Sequence, residues 1–213
     1  MKLFDYYRST ASYRVRIALN YKNIKYDTQA IQLIDKDGKK AEQSSEYYKN
    51  INPQQLVPSL ILDNDEKIIT QSVAILEYLE ETYPNPSILP QNKLDRAHVR
   101  QLVNIISCDI HPLNNLRVLQ YLKNNFNISE DQKLSWYHHW LNLGFQAIEE
   151  LLNKNNSNGN FCFGNSITMA DICLIPQVYN ANRYEFDITK FELINSINSN
   201  CLKIKCFDLG RNI

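Results

Sequence analysis

The tripeptide Pro84-Asn85-Pro86 separates two stretches of this 213-residue chain that follow different hydrophobic periods. Before it, short apolar strands alternate with helical patterns; after it, strand signals vanish. Residues 2–6 read as a strand, 12–21 as a helix with Val15, Ala18 and Leu19 on one face, and 25–31 as a second strand. A polar, Lys-rich loop over 32–43 leads to a short helical piece near 45–50 that stops at Asn52-Pro53. Apolar runs at 59–62 and 67–70 flank Asp63-Asn64-Asp65-Glu66, a hairpin signal. Gln71-Ser72 then opens a helix through Tyr83, with Val73, Leu76 and Leu79 near helical spacing. The order β-α-β-α-β-β-α joins a parallel βαβ unit to an antiparallel hairpin.

Downstream, residues 94–124 and 131–153 carry long helical patterns, the first bent or interrupted at Pro112. A polar loop covers 153–159. Thr168-Met169-Ala170-Asp171 has the form of a capping box, which makes Asp171 a structural residue, and the helix it opens contains Pro176. A last helix is expected over 191–202. The predicted fold class is α/β plus all-α, with an α/β domain at 1–83, a linker at 84–91 and an all-helical domain at 92–213.

With 23 Lys and Arg against 23 Asp and Glu, the chain has no basic stripe for nucleic acid, and a small anion would have to be held by local donors. No apolar run suits a signal peptide or a membrane span, which predicts a cytoplasmic protein with no membrane partner. The five cysteines show neither metal-ligand nor redox spacing and read as buried, reduced thiols. The adjacent His138 and His139 point apart on a helix and read as surface residues, so no metal site is expected.

Chemistry concentrates in three places. Ser9-Thr10-Ala11-Ser12 sets hydroxyls in a turn between a strand and a helix N-terminus, where backbone N–H groups can hold an anion such as a thiolate. The same residues can equally serve as a helix cap, with Ser12 the expected cap residue. Val57-Pro58 precedes a strand; it either starts that strand or, with a cis bond, presents Val57 to an extended peptide-like ligand. Ser72 is an N-cap candidate whose hydroxyl and following N–H groups could hold a carboxylate, with capping alone as the other reading.

Taken in this order, these residues resemble the zeta class of glutathione transferases. Ser9-Thr10-Ala11-Ser12-Tyr13-Arg14-Val15-Arg16-Ile17-Ala18-Leu19 is similar to the class signature Ser-Ser-Cys-x-Trp followed by Arg-Val-Arg-Ile-Ala-Leu. Further matches are Asn52-Pro53, Val57-Pro58, Gln71-Ser72, Pro112-Leu113-x-Asn115-Leu116, Thr168-Met169-Ala170-Asp171 and Pro176-Gln177-Val178-x-Asn180-Ala181-x-Arg183. Four positions depart from the pattern: Thr10 stands for serine, Ala11 for cysteine, Tyr13 for tryptophan and His111 for glutamine.

The resemblance implies a thioredoxin-like first domain, a helical second domain, a homodimer, and glutathione as a bound cofactor. It further implies cis–trans isomerisation of a small dicarboxylate-like substrate, maleylacetoacetate to fumarylacetoacetate, in tyrosine and phenylalanine breakdown. The alternatives are a transferase or dehalogenase acting on small α-halo acids and a non-catalytic docking module on the same fold. By the same likeness Ser9, then Thr10, would stabilise the thiolate. Ala11, Ser12, Gln43, Val57, Pro58, Gln71, Ser72, His111, Asn115, Leu116 and Arg117 would join them around glutathione, and Arg8, Arg14 and Arg183 would meet substrate carboxylates. For Arg14 and Arg16 the plain alternative is a solvated or ion-paired position on a half-exposed helix.

Overall fold

In a computed structural model that describes residues 1–35, 41–63, 67–155 and 160–211, strand β1 (Lys2–Asp5) is buried from Leu3 through Asp5. Burial of consecutive residues marks a strand covered on both faces. Helix α1 (Thr10–Tyr21) returns the chain so that β2 (Asp27–Ala30) pairs parallel to β1, Leu3 opposite Thr28. After α2 (Glu46–Ile51), β3 (Ser59–Ile61) runs antiparallel to β1 and β4 (Ile68–Thr70) antiparallel to β3. The sheet order is β2-β1-β3-β4. The expected hairpin is present, although residues 64–66 of its turn, like 36–40 of the Lys-rich loop and 156–159 of the later polar loop, lie outside the described residues.

Phe4, Ile31 and Tyr48 form a core on the α2 side, with Val57 and Ile61 packed against it. Helix α3 (Ser72–Thr82) buries Ser72, Ile75, Leu76, Leu79 and Glu80, spacings of three and four that trace one face. Val73, expected on that face, is only half-buried. Helix α1 departs most from expectation. Every residue from Thr10 through Leu19 is buried, because α10 (Lys205–Arg211) packs along it as well as α3. The Tyr13 hydroxyl donates to Phe207 O at 2.8 Å and Arg16 Nε to Gly210 O at 2.6 Å. A Cβ on Gly210 would lie 2.9 Å from Ile17 Cγ1, 3.0 Å from Tyr13 Cε2 and 3.2 Å from Ile17 N, so glycine eases this close approach.

Contacts therefore define one compact unit of Met1–Ser87 with Ile204–Ile213 and a second of Ile88–Lys203. This differs from the expected single helical domain over 92–213, because residues 204–211 pack with the first unit. Within the first unit, Lys22 Nζ donates to Glu80 Oε2 at 2.9 Å, Tyr83 O at 2.7 Å and Pro86 O at 2.8 Å. Three acceptors match the three donors of an ammonium, so a buried charge ties the ends of α1 and α3 to the Pro84-Asn85-Pro86 stretch.

The second unit is helical in its described residues. Helix α4 (Lys93–Asn104) passes into a π-helical turn at Ile105–Ile110, then α5 (His111–Leu113) and α6 (Leu116–Phe126). The break expected at Pro112 begins earlier, at the wider π turn. Helix α7 (Glu130–Lys154) starts at a capping box of Ser129 and Gln132, and α8 (Met169–Arg183) at the predicted box of Thr168 and Asp171. Asp171 accepts from Thr168 N, Thr168 Oγ1 and Cys162 N. Burial pushes its carboxyl up, and these donors pull it back toward the ionised form. Helix α9 (Glu192–Cys201) completes the unit. His138, read as a surface residue, is half-buried and bonded to Tyr184 O, whereas Cys108, read as buried, is exposed.

Two substitutions test this packing by urea denaturation. Glu80→Ala leaves Lys22 buried without its counter-ion and is expected to cost about 3–5 kcal/mol. Gly144→Ala in α7 brings a methyl within 2.3 Å of Ile110 Cδ1. It should destabilise by about 1–3 kcal/mol of overpacking, more than the ~1 kcal/mol that alanine gains in helix propensity.

Candidate active site

The β1–α1 turn is built by its own backbone. Ser9 N donates to Tyr6 O at 2.8 Å, and Ser9 takes the N-cap of α1 with extended dihedrals. Its Oγ accepts from Ser12 N at 3.2 Å. Ser9, not Ser12, is therefore the cap; Ser12 is fully buried and takes part through its N–H. The helix begins at Thr10, two residues ahead of the predicted start. Capping and chemistry, which the sequence left as rivals, are compatible at Ser9. The cap uses an oxygen lone pair and leaves the hydroxyl proton available to donate. Ser9 is half-buried, whereas Thr10 is 3% exposed and Ala11 7% exposed.

Tyr13, the aromatic of the motif, is committed elsewhere. Burial raises its hydroxyl pKa well above the usual phenol range, and the neutral hydroxyl donates to Phe207 O. Arg8 is exposed beside Ser9, 5.1 Å from the centre of the Tyr7 ring.

Val57-Pro58 is cis. The loop before it is fixed by two donors on one carbonyl: Tyr48 Oη at 2.8 Å and Asn52 Nδ2 at 2.6 Å both reach Leu56 O. Tyr48 and Asn52, neither singled out from sequence as site residues, thus hold Val57 in place. Gln43, in a 3-10 turn at Glu42–Ser44, donates through Nε2 to Leu33 O at 2.9 Å.

At α3 the N-cap is Gln71, one place earlier than the Ser72 read from sequence, and Ser72 is the first helical residue. Gln71 has φ 69°, a left-handed conformation that costs a non-glycine residue energy and collects at functional sites. Its side chain is exposed and donates to Gln54 Oε1. Behind Ser72 lies Arg14, which is 1% exposed and donates through Nη1 to Ser72 Oγ at 3.2 Å. Arg14 was expected on a half-exposed helix or at substrate carboxylates. It is instead an interior residue directed at Ser72, because α1 is covered on more than one side. Arg16 is equally buried and pairs with Asp5 at 2.5 Å, as the structural alternative predicted.

The first turns of the helices share a charge pattern. Helices α2, α4, α7, α8, α9 and α10 each place an acidic residue there, which complements the helix dipole. Besides the three-residue α5, helices α1, α3 and α6 place none. These three begin at Ser9, Gln71 and Asn115. Their positive ends are left for an anion from outside the helix.

In the second unit Asn115 caps α6, its Oδ1 accepting from Arg117 N at 3.1 Å, and Leu116 and Arg117 are exposed. The segment carrying His111 is pinned from α7: Trp136 Nε1 donates to Leu113 O at 2.9 Å and Asn114 Nδ2 to Tyr137 O at 3.1 Å. Arg183 is exposed at the end of α8, with Nη1 on Asn180 Oδ1 at 2.8 Å, while Asn180 Nδ2 donates to the Tyr137 hydroxyl at 2.9 Å. The guanidinium is thus fixed at one nitrogen.

Three comparisons agree with this geometry. Residues 3–87 match the family described as glutathione S-transferase, N-terminal domain. The probable maleylacetoacetate isomerase of Vibrio cholerae serotype O1 is 43% identical over 195 residues, covering 92% of this chain and 87% of that protein. A holo structure of a bacterial zeta-class maleyl pyruvate isomerase superposes with a TM-score of 0.92 at 40% identity, covering 99% of this chain and 96% of its own. The maleylacetoacetate isomerase of Methylobacterium extorquens AM1, solved with bound malonate and GSH, gives 0.91 at 32% identity over 100% and 96%. The capped serine turn, the cis Val57-Pro58 bond and the left-handed Gln71 thus belong to a zeta-class member of the glutathione transferase family.

Proposed function

We propose that this enzyme binds glutathione on its first unit and uses it to isomerise maleylacetoacetate, or a close maleyl keto acid, from cis to trans. The observation that carries the reading is the pairing, within one unit, of two acid-free helix N-termini that each present a serine whose oxygen already accepts a bond from the protein. Such a site offers protons to anions and repels none, which suits a thiolate at Ser9 and a carboxylate at Ser72. Bound glutathione supplies a nucleophilic thiol that adds reversibly to the conjugated double bond, making rotation about it easy.

The chain's task at Ser9 is to favour the ionised thiol. A free thiol has a pKa near 8.5, and lowering it by about two units needs roughly 2.7 kcal/mol. A hydrogen bond to a charged group contributes about 1.5–3 kcal/mol, and a helix N-terminus up to ~2. The Ser9 hydroxyl and the start of α1 together cover that requirement. Serine acts only as a donor here, its own proton being too weakly acidic to lose. Ala11 brings no thiol of its own, so the nucleophile has to come from the cofactor.

Val57 is assigned the cysteinyl backbone of glutathione beside Pro58, Gln71 and Ser72 the γ-glutamyl carboxylate, and Gln43 the glycyl end. Thr10, Ala11 and Ser12 line the thiol turn. His111, Asn115, Leu116 and Arg117 are assigned further cofactor contacts, and Arg8 and Arg183 the substrate carboxylates. A guanidinium fits a carboxylate in two-bond geometry, and Arg183 is held by Asn180 with nitrogens to spare. That the Methylobacterium extorquens relative was solved with bound malonate and GSH supports a dicarboxylate substrate. No helix among the described residues is long and apolar enough to cross a membrane. A cytoplasmic homodimer serving aromatic amino-acid breakdown completes the proposal.

The test is product formation from maleylacetone and from maleylpyruvate, with and without glutathione. Trans product should appear only with glutathione, and the thiol should be recovered unchanged. Consumption of glutathione with release of halide from α-halo acids would favour the dehalogenase, and no binding heat with glutathione would favour the docking module. Ser9→Ala should lower kcat/KM about 10- to 100-fold. Glutathione affinity should stay within a few-fold of wild type, and the pKa of the bound thiol, read by thiolate absorbance, should rise.

A further inference from the structure

Ser72 and Arg14 form a pair whose polarity is fixed by chemistry. Arg14 is 1% exposed and Ser72 6% exposed, with Arg14 Nη1 3.2 Å from Ser72 Oγ. A guanidinium carries donors and no acceptor, so the Ser72 oxygen accepts and its proton has to point elsewhere. A serine inside a helix commonly gives that proton to the carbonyl four residues back. Ser72 is the first residue of α3, and the residue four places back, Ile68, lies in β4. No acidic residue of the first turn competes for the proton either. What lies in front of Ser72 is the N-terminus of an eleven-residue helix.

We propose that Arg14 is a positioning residue for anion recognition: by donating to Ser72 Oγ it turns the Ser72 hydroxyl into an obligate outward donor, and it sets a buried positive charge behind the α3 N-terminus. Resting on the glutathione reading above, this makes the γ-glutamyl α-carboxylate the group that Arg14 selects without touching it. A neutral hydrogen-bond partner in place of Arg14 could donate or accept, and the Ser72 hydroxyl would lose its fixed direction. A side chain serving only to fill the core would stabilise the fold without distinguishing ligands that differ by one carboxylate.

The experiment is calorimetric titration of wild type, Arg14→Gln and Arg14→Lys with two ligands: glutathione, and γ-aminobutyryl-cysteinyl-glycine, which lacks only the α-carboxylate. Wild type should prefer glutathione. Arg14→Gln should weaken glutathione about tenfold or more while changing the analogue less than about twofold. Arg14→Lys, which keeps a cation, should recover part of the preference. Equal losses for both ligands in Arg14→Gln would overturn the proposal and leave Arg14 a packing residue. Should the variants not fold, the guanidinium resonances of Arg14 in 15N-arginine-labelled wild type decide the matter. They should move with glutathione and stay still with the analogue; no movement with glutathione overturns the proposal. Failure of wild type to bind glutathione at all would instead remove the reading on which it rests.

Discussion

Two guanidinium groups buried in one helix impose the arrangement of the first unit. Arg14 and Arg16 are each 1% exposed, and a charge removed from water must meet oxygen partners or cost several kcal/mol. They point to different neighbours. Arg14 reaches Ser72, at the start of α3, and Arg16 reaches Asp5 in β1, Tyr7 O in the following turn and Gly210 O in α10. Strand, turn, neighbouring helix and C-terminal helix are thereby held to α1 by polar contacts of fixed direction. The serine turn sits at the head of that helix, and the bonds of Arg16 to Asp5 and Tyr7 O hold the backbone that leads into Ser9.

The two serines share one physical device. Each oxygen accepts a bond from the protein, from Ser12 N at Ser9 and from Arg14 at Ser72. A hydroxyl used in this way has its direction set before any ligand arrives, so less ordering remains to be done on binding. The thiol end and the carboxylate end of the proposed cofactor therefore meet donors oriented by different means, one by a helix backbone and the other by a buried cation.

Much of this was legible in the sequence because its signals are local. The βαβ order, the hairpin, the Thr168–Asp171 capping box and the Val57-Pro58 and Gln71-Ser72 positions all depend on near neighbours along the chain. What escaped depends on distant ones. Arg14 was placed on a half-exposed face because its partner lies 58 residues away, and the depth of Tyr13 and Arg16 depends on oxygens 194 residues away. Helix α10 was missed for a related reason: it spans seven residues with a glycine near its end, and is specified by what it covers rather than by its own period. The cap fell on Ser9 rather than Ser12 because a hydroxyl at either position satisfies the local pattern.

Helix α10 makes the first unit discontinuous along the chain, since residues after 203 complete a structure begun at Met1. During synthesis, β1 through α3 emerge first, yet Phe207 O and Gly210 O, the acceptors for Tyr13 and Arg16, are each made 194 residues after their donors. Domains generally fold as units as they leave the ribosome, N-terminal first. Here the N-terminal unit must wait for residues 205–211 before α1 is fully covered, while the intervening helices of Ile88–Lys203 are already made. Assembly of the serine turn in its final surroundings is thus tied to the arrival of the helix at Lys205–Arg211.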